Sequence, residues 1–188
     1  MKTNFKLHLV TSKDKLRPAM NSVLINRDEA VATDAHVLAR VPVSSILDLD
    51  SIALIPEKGI LIDAQIWKAI HNAESIHLKE TAEGLKIVGY FSRKPIQEYK
   101  VQTNGEGTTF PNYRQVIPDH EHAKQETSTL KLNPKLLENL RQAIDATAGV
   151  QIQFNGHNKG AIVLPILERG KEEDTAKHGS GLIMLMML

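Results

Sequence analysis

The sequence predicts an α+β fold in which one order of elements, β-α-β-β-β, is written three times. Three observations carry that prediction. The order restarts near residues 4, 59 and 127, at roughly 60-residue intervals, as pattern rather than as residue identity. Hydrophobic residues make up 41% of the 188 residues but aromatic ones only 4%, so the core has to come from Leu, Ile, Val, Ala and Met, which suits sheets faced by helices. Cysteine is absent, which removes disulfide scaffolds, zinc–thiolate sites and thiol chemistry.

In the first unit, residues 4–10 alternate well enough for a strand. Thr11 and Ser12 offer an N-cap oxygen, and Leu16, Ala19, Met20 and Val23 fall at helical spacing. Pro18 confines that helix to its first turns or bends it, because proline has no N–H to give an interior turn. Two strands follow around Asn26-Arg27-Asp28-Glu29, and another runs from Val37 to Val43. Residues 44–58 read as a connection rich in Ser, Asp and Pro.

The second unit starts at Gly59. Ile60-Leu61-Ile62 is a strand, Asp63 an N-cap, and a helix from Ala64 to about Asn72 turns Ile66, Trp67 and Ile70 inward. Ser75–Lys79, Leu85–Phe91 and Ile96–Val101 complete it, joined at Ala82-Glu83-Gly84 and near Arg93-Lys94-Pro95. After a polar linker at Asp119–Glu126, the third unit opens with a strand over Thr127–Leu132. Its helix starts at Asn133-Pro134 and carries Leu136, Leu137, Leu140 and Ile144 as an apolar stripe. Gly149–Phe154 and Gly160–Ile166 form a hairpin, Glu168–Gly179 is a solvated charged loop, and the last strand covers residues 181–187.

Net charge is +1, from 23 basic and 22 acidic residues, so only a local clustering of Lys and Arg could favour nucleic acid. No apolar run of signal-peptide or membrane-spanning length occurs, and a soluble, cytoplasmic protein without membrane contact is expected.

Four stretches stand out: Leu16-Arg17-Pro18-Ala19-Met20-Asn21-Ser22-Val23-Leu24, Val31-Ala32-Thr33-Asp34-Ala35-His36-Val37-Leu38-Ala39, Phe110-Pro111-Asn112-Tyr113-Arg114-Gln115-Val116-Ile117-Pro118, and the closing run from Gly181 to Leu188. By itself the second is a hairpin whose polar corner happens to hold a histidine. Taken in order, the four resemble signatures of the bacterial DNA polymerase III beta sliding clamp family: L-R-x-x-L-N-G-V-L, V-A-T-D-G-H-R-L-A, F-P-D-Y-R-R-V-I-P and a terminal strand near V-V-M-P-M-R-L. The resemblance implies a DNA-clamp-like fold of paired β-α-β-β-β units. Residues 1–118 correspond to the family's middle domain and residues 127–188 to the closing half of its last domain.

What the resemblance implies for function is a hydrophobic pocket that receives short linear peptides from polymerases and from other replication or repair proteins. By motif position that pocket takes in Met20, Thr33, Ala35, His36, Val37, Leu38, Pro111, Gln115, Val116, Leu182 and Met184. A groove gripping a Leu or Phe anchor needs apolar, adaptable walls, and methionine supplies the adaptability. The alternative reading of residues 182–188 is a strand buried on both faces.

Departures from the family pattern are specific. Ala35 stands at the turn glycine, Val37 and Gln115 at two arginines, and Leu185 and Met187 at the terminal proline and arginine, which shifts preference toward apolar peptides.

DNA encirclement is the second implied property. Lys13, Lys15 and Arg17 on the first helix, Lys68 on the second, and Lys135 and Arg141 on the third are the candidates to meet phosphates without reading bases. Solvated lysines are the plain alternative, and Glu138 and Asp145 dilute the third stripe. Ring closure implies a homo-oligomer.

The functional expectation is therefore a non-catalytic, cofactor-free processivity factor. A peptide-docking adaptor or decoy that never encloses DNA is the alternative. A metal enzyme built on His120 and His122 is a third reading, and that pair has no third fixed ligand.

Overall fold

The computed structural model describes residues 4–117, 132–153, 160–166 and 179–184. Eight strands form one antiparallel sheet: β1 Ser22–Ile25, β2 Glu29–Thr33, β3 Val37–Pro42, β4 Ile60–Asp63, β8 Gln102–Thr103, β9 Val150–Gln153, β10 Ala161–Pro165 and β11 Ser180–Ile183, in the order β8-β4-β1-β2-β3-β11-β10-β9. A separate three-stranded sheet holds β5 Ser75–Thr81, β6 Gly84–Phe91 and β7 Lys94–Lys100. The seam between β3 and β11 joins segments about 140 residues apart in sequence, pairing Leu38 with Leu182 and Val37 with Ile183.

Alternation sorts the large sheet into two faces. Val23, Ile25, Ala30, Ala32, Val37, Ala39, Val41, Ile60, Ile62, Ala161, Val163 and Ile183 pack under the helices α2 (Ala64–Ile70) and α3 (Pro134–Ala143). Leu24, Val31, Leu38, Leu61, Ile162 and Leu182 point the other way, where Ala19, Phe110 and Tyr113 cover them. Both helix starts follow the sequence reading: Asp63 accepts from the Gln65 amide, and Asn133 from the Lys135 amide with Pro134 at the first turn. Trp67, Ile70, Leu140 and Ile144 are fully buried, while Ile66, Leu136 and Leu137 pack at the margin of the core.

The first unit departs from the expectation. Residues 4–10 are not a strand: Leu7–Leu9 form a 3₁₀ turn in contact with both α2 and α3. Phe5, Leu7 and Val10 are plugged into the core, and Trp67 Nε1 donates to the Phe5 carbonyl at 2.8 Å. Filling that space with three apolar side chains outweighs the alternation that points to a strand.

No α-helix forms between Thr11 and Val23 either. Asp14 ties the segment into turns, accepting from the Leu16 amide through Oδ1 and from the Arg17 amide through its carbonyl. Pro18 then opens a 3₁₀ turn, Pro18–Asn21, that leads straight into β1. Leu16 consequently lies 90% exposed rather than on an apolar stripe, and Lys13, Lys15 and Arg17 are not on a helix.

Smaller differences follow local chemistry. The 44–58 connection contains α1, Leu49–Ala53, capped by the Asp48 carboxylate on the Ser51 amide. The turn between β6 and β7 sits at Ser92-Arg93, both at positive φ, so β7 begins at Lys94. β8, which pairs with β4, was not expected. The expected strand over 127–131, the 119–126 linker with His120 and His122, the hairpin tip at 154–159, the 168–178 loop and residues 185–187 of the last strand lie outside the described residues. Among the described residues, no helix is long and apolar enough to cross a membrane.

Candidate functional site

The corner between β2 and β3 is stitched by its own side chains. Asp34 Oδ1 accepts from the His36 and Val37 amides at 2.9 Å each, while Thr33 Oγ1 accepts from the Ala35 amide and donates to the Val37 carbonyl at 2.7 Å. This geometry forces Ala35 to φ +75°, a conformation that suits glycine. Ala35→Gly is accordingly expected to raise stability by about 1 kcal/mol, read as a higher midpoint in urea unfolding at unchanged slope.

The segment after β8 is held by two aromatic anchors. Phe110 and Tyr113 are buried and meet edge to face at 6.2 Å. Tyr113 Oη donates to Glu29 Oε1 at 2.6 Å and accepts from Asn26 Nδ2 at 3.1 Å, and Arg40 Nε donates to Glu29 Oε2 at 2.6 Å. Burial, and then the hydrogen bond to Glu29, push the Tyr113 phenol above its ordinary range. Glu29 thus ties the motif at Phe110–Ile117 to β2 and β3 together. Glu29→Ala would leave Arg40 and the Tyr113 hydroxyl without their acceptor, and an expected loss of about 2 kcal/mol would be measured in the same unfolding assay, with Glu29→Gln losing less.

Between the anchors and the corner lies an apolar cavity of about 300 Å³. Its floor is a row across three strands, since Thr33 pairs with Leu38 and Leu38 with Leu182. Met20, Val37 and the corner residues Ala35 and His36 line the cavity together with Pro111, Asn112, Tyr113, Val116 and Met184, and the Met184 amide donates to the His36 carbonyl at 2.8 Å. Four segments distant in sequence therefore meet there. Val116 and Met184, 51% and 40% exposed, stand at the rim, whereas Leu38 and Leu182 are buried beneath.

Of the eleven residues expected at the pocket, ten line this cavity, and Gln115 does not. The reason is the 3₁₀ turn Tyr113–Val116: at three residues per turn, Tyr113 and Val116 share a side and Gln115 points elsewhere, exposed. Arg17, Asn112 and Tyr113 line the cavity without having been placed there from sequence. All three sit inside the quoted motifs, so the signal was present. Arg17 brings a cation to the cavity lining, held loosely by Asp14 at 3.8 Å.

The remaining cationic candidates divide by face. Lys68 on α2 and Lys135 on α3 are exposed on the helix-bearing side, opposite the cavity. Arg141 is engaged within the fold by both Glu138 oxygens, at 2.8 and 2.9 Å, and by the Ala146 carbonyl. Lys13 and Lys15 are exposed in the turn segment before β1.

Solved structures share this architecture. The beta subunit from the DNA polymerase of Streptococcus pyogenes matches with TM-score 0.62 at 15% identity over 100% of this chain and 65% of that one. The Caulobacter crescentus beta sliding clamp gives 0.62 at 14%, over 100% and 64%. DNA polymerase III subunit beta from Borrelia burgdorferi gives 0.60 at 14%, over 98% and 61%. The fold is that of a bacterial beta sliding clamp. The chain spans under two thirds of the length of these clamps, and the four-motif resemblance and the α+β class hold at the level of the clamp fold. No family model and no curated protein sequence matches the chain.

Proposed function

We propose that this chain is a non-catalytic, sliding-clamp-like accessory subunit of a cytoplasmic DNA polymerase. It docks short linear peptides of replication and repair proteins in the cavity at the β3–β11 seam, and its helix-bearing face meets the duplex backbone without reading sequence. The observation that carries the reading is the convergence of Met20, Leu38, Val116 and Met184 on one apolar cavity in a clamp fold. An extended peptide with Leu or Phe anchors fits such a cleft: apolar floor, adaptable methionine rim, and a few polar groups, Thr33, His36 and Arg17, to orient it. In this reading residues 1–118 act as one clamp domain and residues 127–188 as a half domain.

Methionine methyl NMR tests the docking. Titration with a peptide of the Gln-Leu-x-Leu-Phe kind is expected to shift the Met20 and Met184 methyl signals together and saturably. Methyl signals that stay in place at millimolar peptide would overturn it.

The adaptor reading draws on Arg141, whose charge is already taken up by Glu138. Sedimentation equilibrium separates the two: a closed multimer permits encirclement, and a monomer at high concentration leaves the adaptor.

A further inference from the structure

The helix-bearing face holds a cluster that the docking reading does not use. His8, on the segment plugged between α2 and α3, meets His71 at the end of α2 edge to face, with ring centroids 4.9 Å apart. His8 Nδ1 is buried without a hydrogen-bond partner, and His71 Nδ1 lies 3.0 Å from the Lys68 carbonyl, which fixes that nitrogen as the N–H donor. The charges facing the pair are Lys6 on its own segment and Lys68 on α2; α3 contributes Glu138, Arg141 and Asp145, of which Glu138 is bound to Arg141 and Gln142. Two imidazoles and two ammonium groups thus share one spot; Lys6 Nζ donates to Gln142 Oε1 at 3.4 Å and Glu138 lies within reach of its charge, while among the described residues neither imidazole is paired to a carboxylate.

We infer that contact of this face with duplex DNA takes up protons at the His8–His71 pair, so that the interaction tightens as the medium acidifies. The inference rests on the proposed role of the helix-bearing face. In the free protein burial, then His71, Lys68 and Lys6, hold His8 down to about 4, and burial lowers His71 as well. A phosphate laid across Lys6 and Lys68 offsets the ammonium charges that disfavour protonation of His8, which moves its titration upward against the opposing effect of burial. If His8 returns to its ordinary value of about 6.5 in the complex, linkage makes binding about tenfold tighter at about pH 5.5 than at about pH 7.5.

Stability has the opposite trend. A histidine whose folded value lies below its unfolded one stabilises the fold fully above the unfolded value, and that contribution fades as pH falls from about 6.5 toward 4. Circular dichroism at each pH therefore accompanies the binding measurement.

The test is the affinity of the full chain for a fluorescent 20-base-pair duplex at low salt across about pH 5.5 to 7.5, with His8→Gln/His71→Gln alongside, and histidine C2–H NMR titrations of the unsubstituted protein with and without the duplex. The expected result is a gain of up to about tenfold on acidification that the double variant loses, with at least one of the two histidine titrations moved upward by DNA. Equal pH dependence in both proteins, or histidine titrations that DNA leaves in place, would overturn the inference while leaving DNA binding intact. Absence of binding at every pH would overturn the DNA-facing role as well.

Discussion

Gly181→Val is expected to lower stability by about 3 kcal/mol and to dismantle the cavity at the same time. Gly181 is the residue of β11 that lies directly under α3. A Cβ there would overlap Leu140 Cδ1 and stand 2.7 Å from Cδ2 and 2.8 Å from Cγ. Leu140 is fully buried and cannot swing aside without opening a void. The added volume must therefore push α3 away or push β11 off β3, and the β3–β11 pairing is what sets Leu182 and Met184 beside Leu38. Urea unfolding of Gly181→Ala, Gly181→Val and Leu140→Ala, singly and combined, measures the clash. The combined Gly181→Val/Leu140→Ala loss should fall well short of the sum of the single losses, because the truncated leucine makes room for the new side chain.

Truncating the cavity's rim and floor has the largest expected effect on binding. Met184 is part-exposed in the free protein, and in the proposed docking an entering anchor would cover it, so Met184→Ala is expected to remove contact at little expense to folding. Leu38 is buried at the centre of the floor row, and Leu38→Ala deepens the cleft and lowers stability together. Each truncation removes about 1.5 kcal/mol of apolar contact with the anchor, which for the pair is about a hundredfold in Kd. Met184→Ala alone separates the binding effect from the folding effect, and isothermal titration of both proteins reads the two steps.

The lining of the cavity was more legible in the sequence than the elements around it, for physical reasons. Short motifs fix which side chains sit at a turn or along a strand, and strand alternation then fixes the face: the reading of Thr33, Leu38 and Leu182 needed only register, and all three line the same cavity. Motif position puts Gln115 at the pocket, but the 3₁₀ turn Tyr113–Val116 carries it away from the cavity. The first unit escaped for a different cause. Leu16, Ala19, Met20 and Val23 have helical spacing, but Asp14 and Pro18 settle the backbone into turns before a helix can nucleate. Residues 4–10 alternate as a strand would, and only the space between α2 and α3, set by chain 60 to 140 residues away, decides for Phe5, Leu7 and Val10 as a plug. The left-handed strain at Ala35 was legible from the motif, since alanine stands at a turn that calls for glycine.

The most direct measurement of the central claim is fluorescence anisotropy of a labelled Gln-Leu-x-Leu-Phe pentapeptide titrated with this protein and with Met184→Ala/Leu38→Ala. Saturable binding that weakens about a hundredfold in the variant is the expected result. A titration without saturation, or one that the variant reproduces, would contradict the account and leave the four motifs as features of the fold alone.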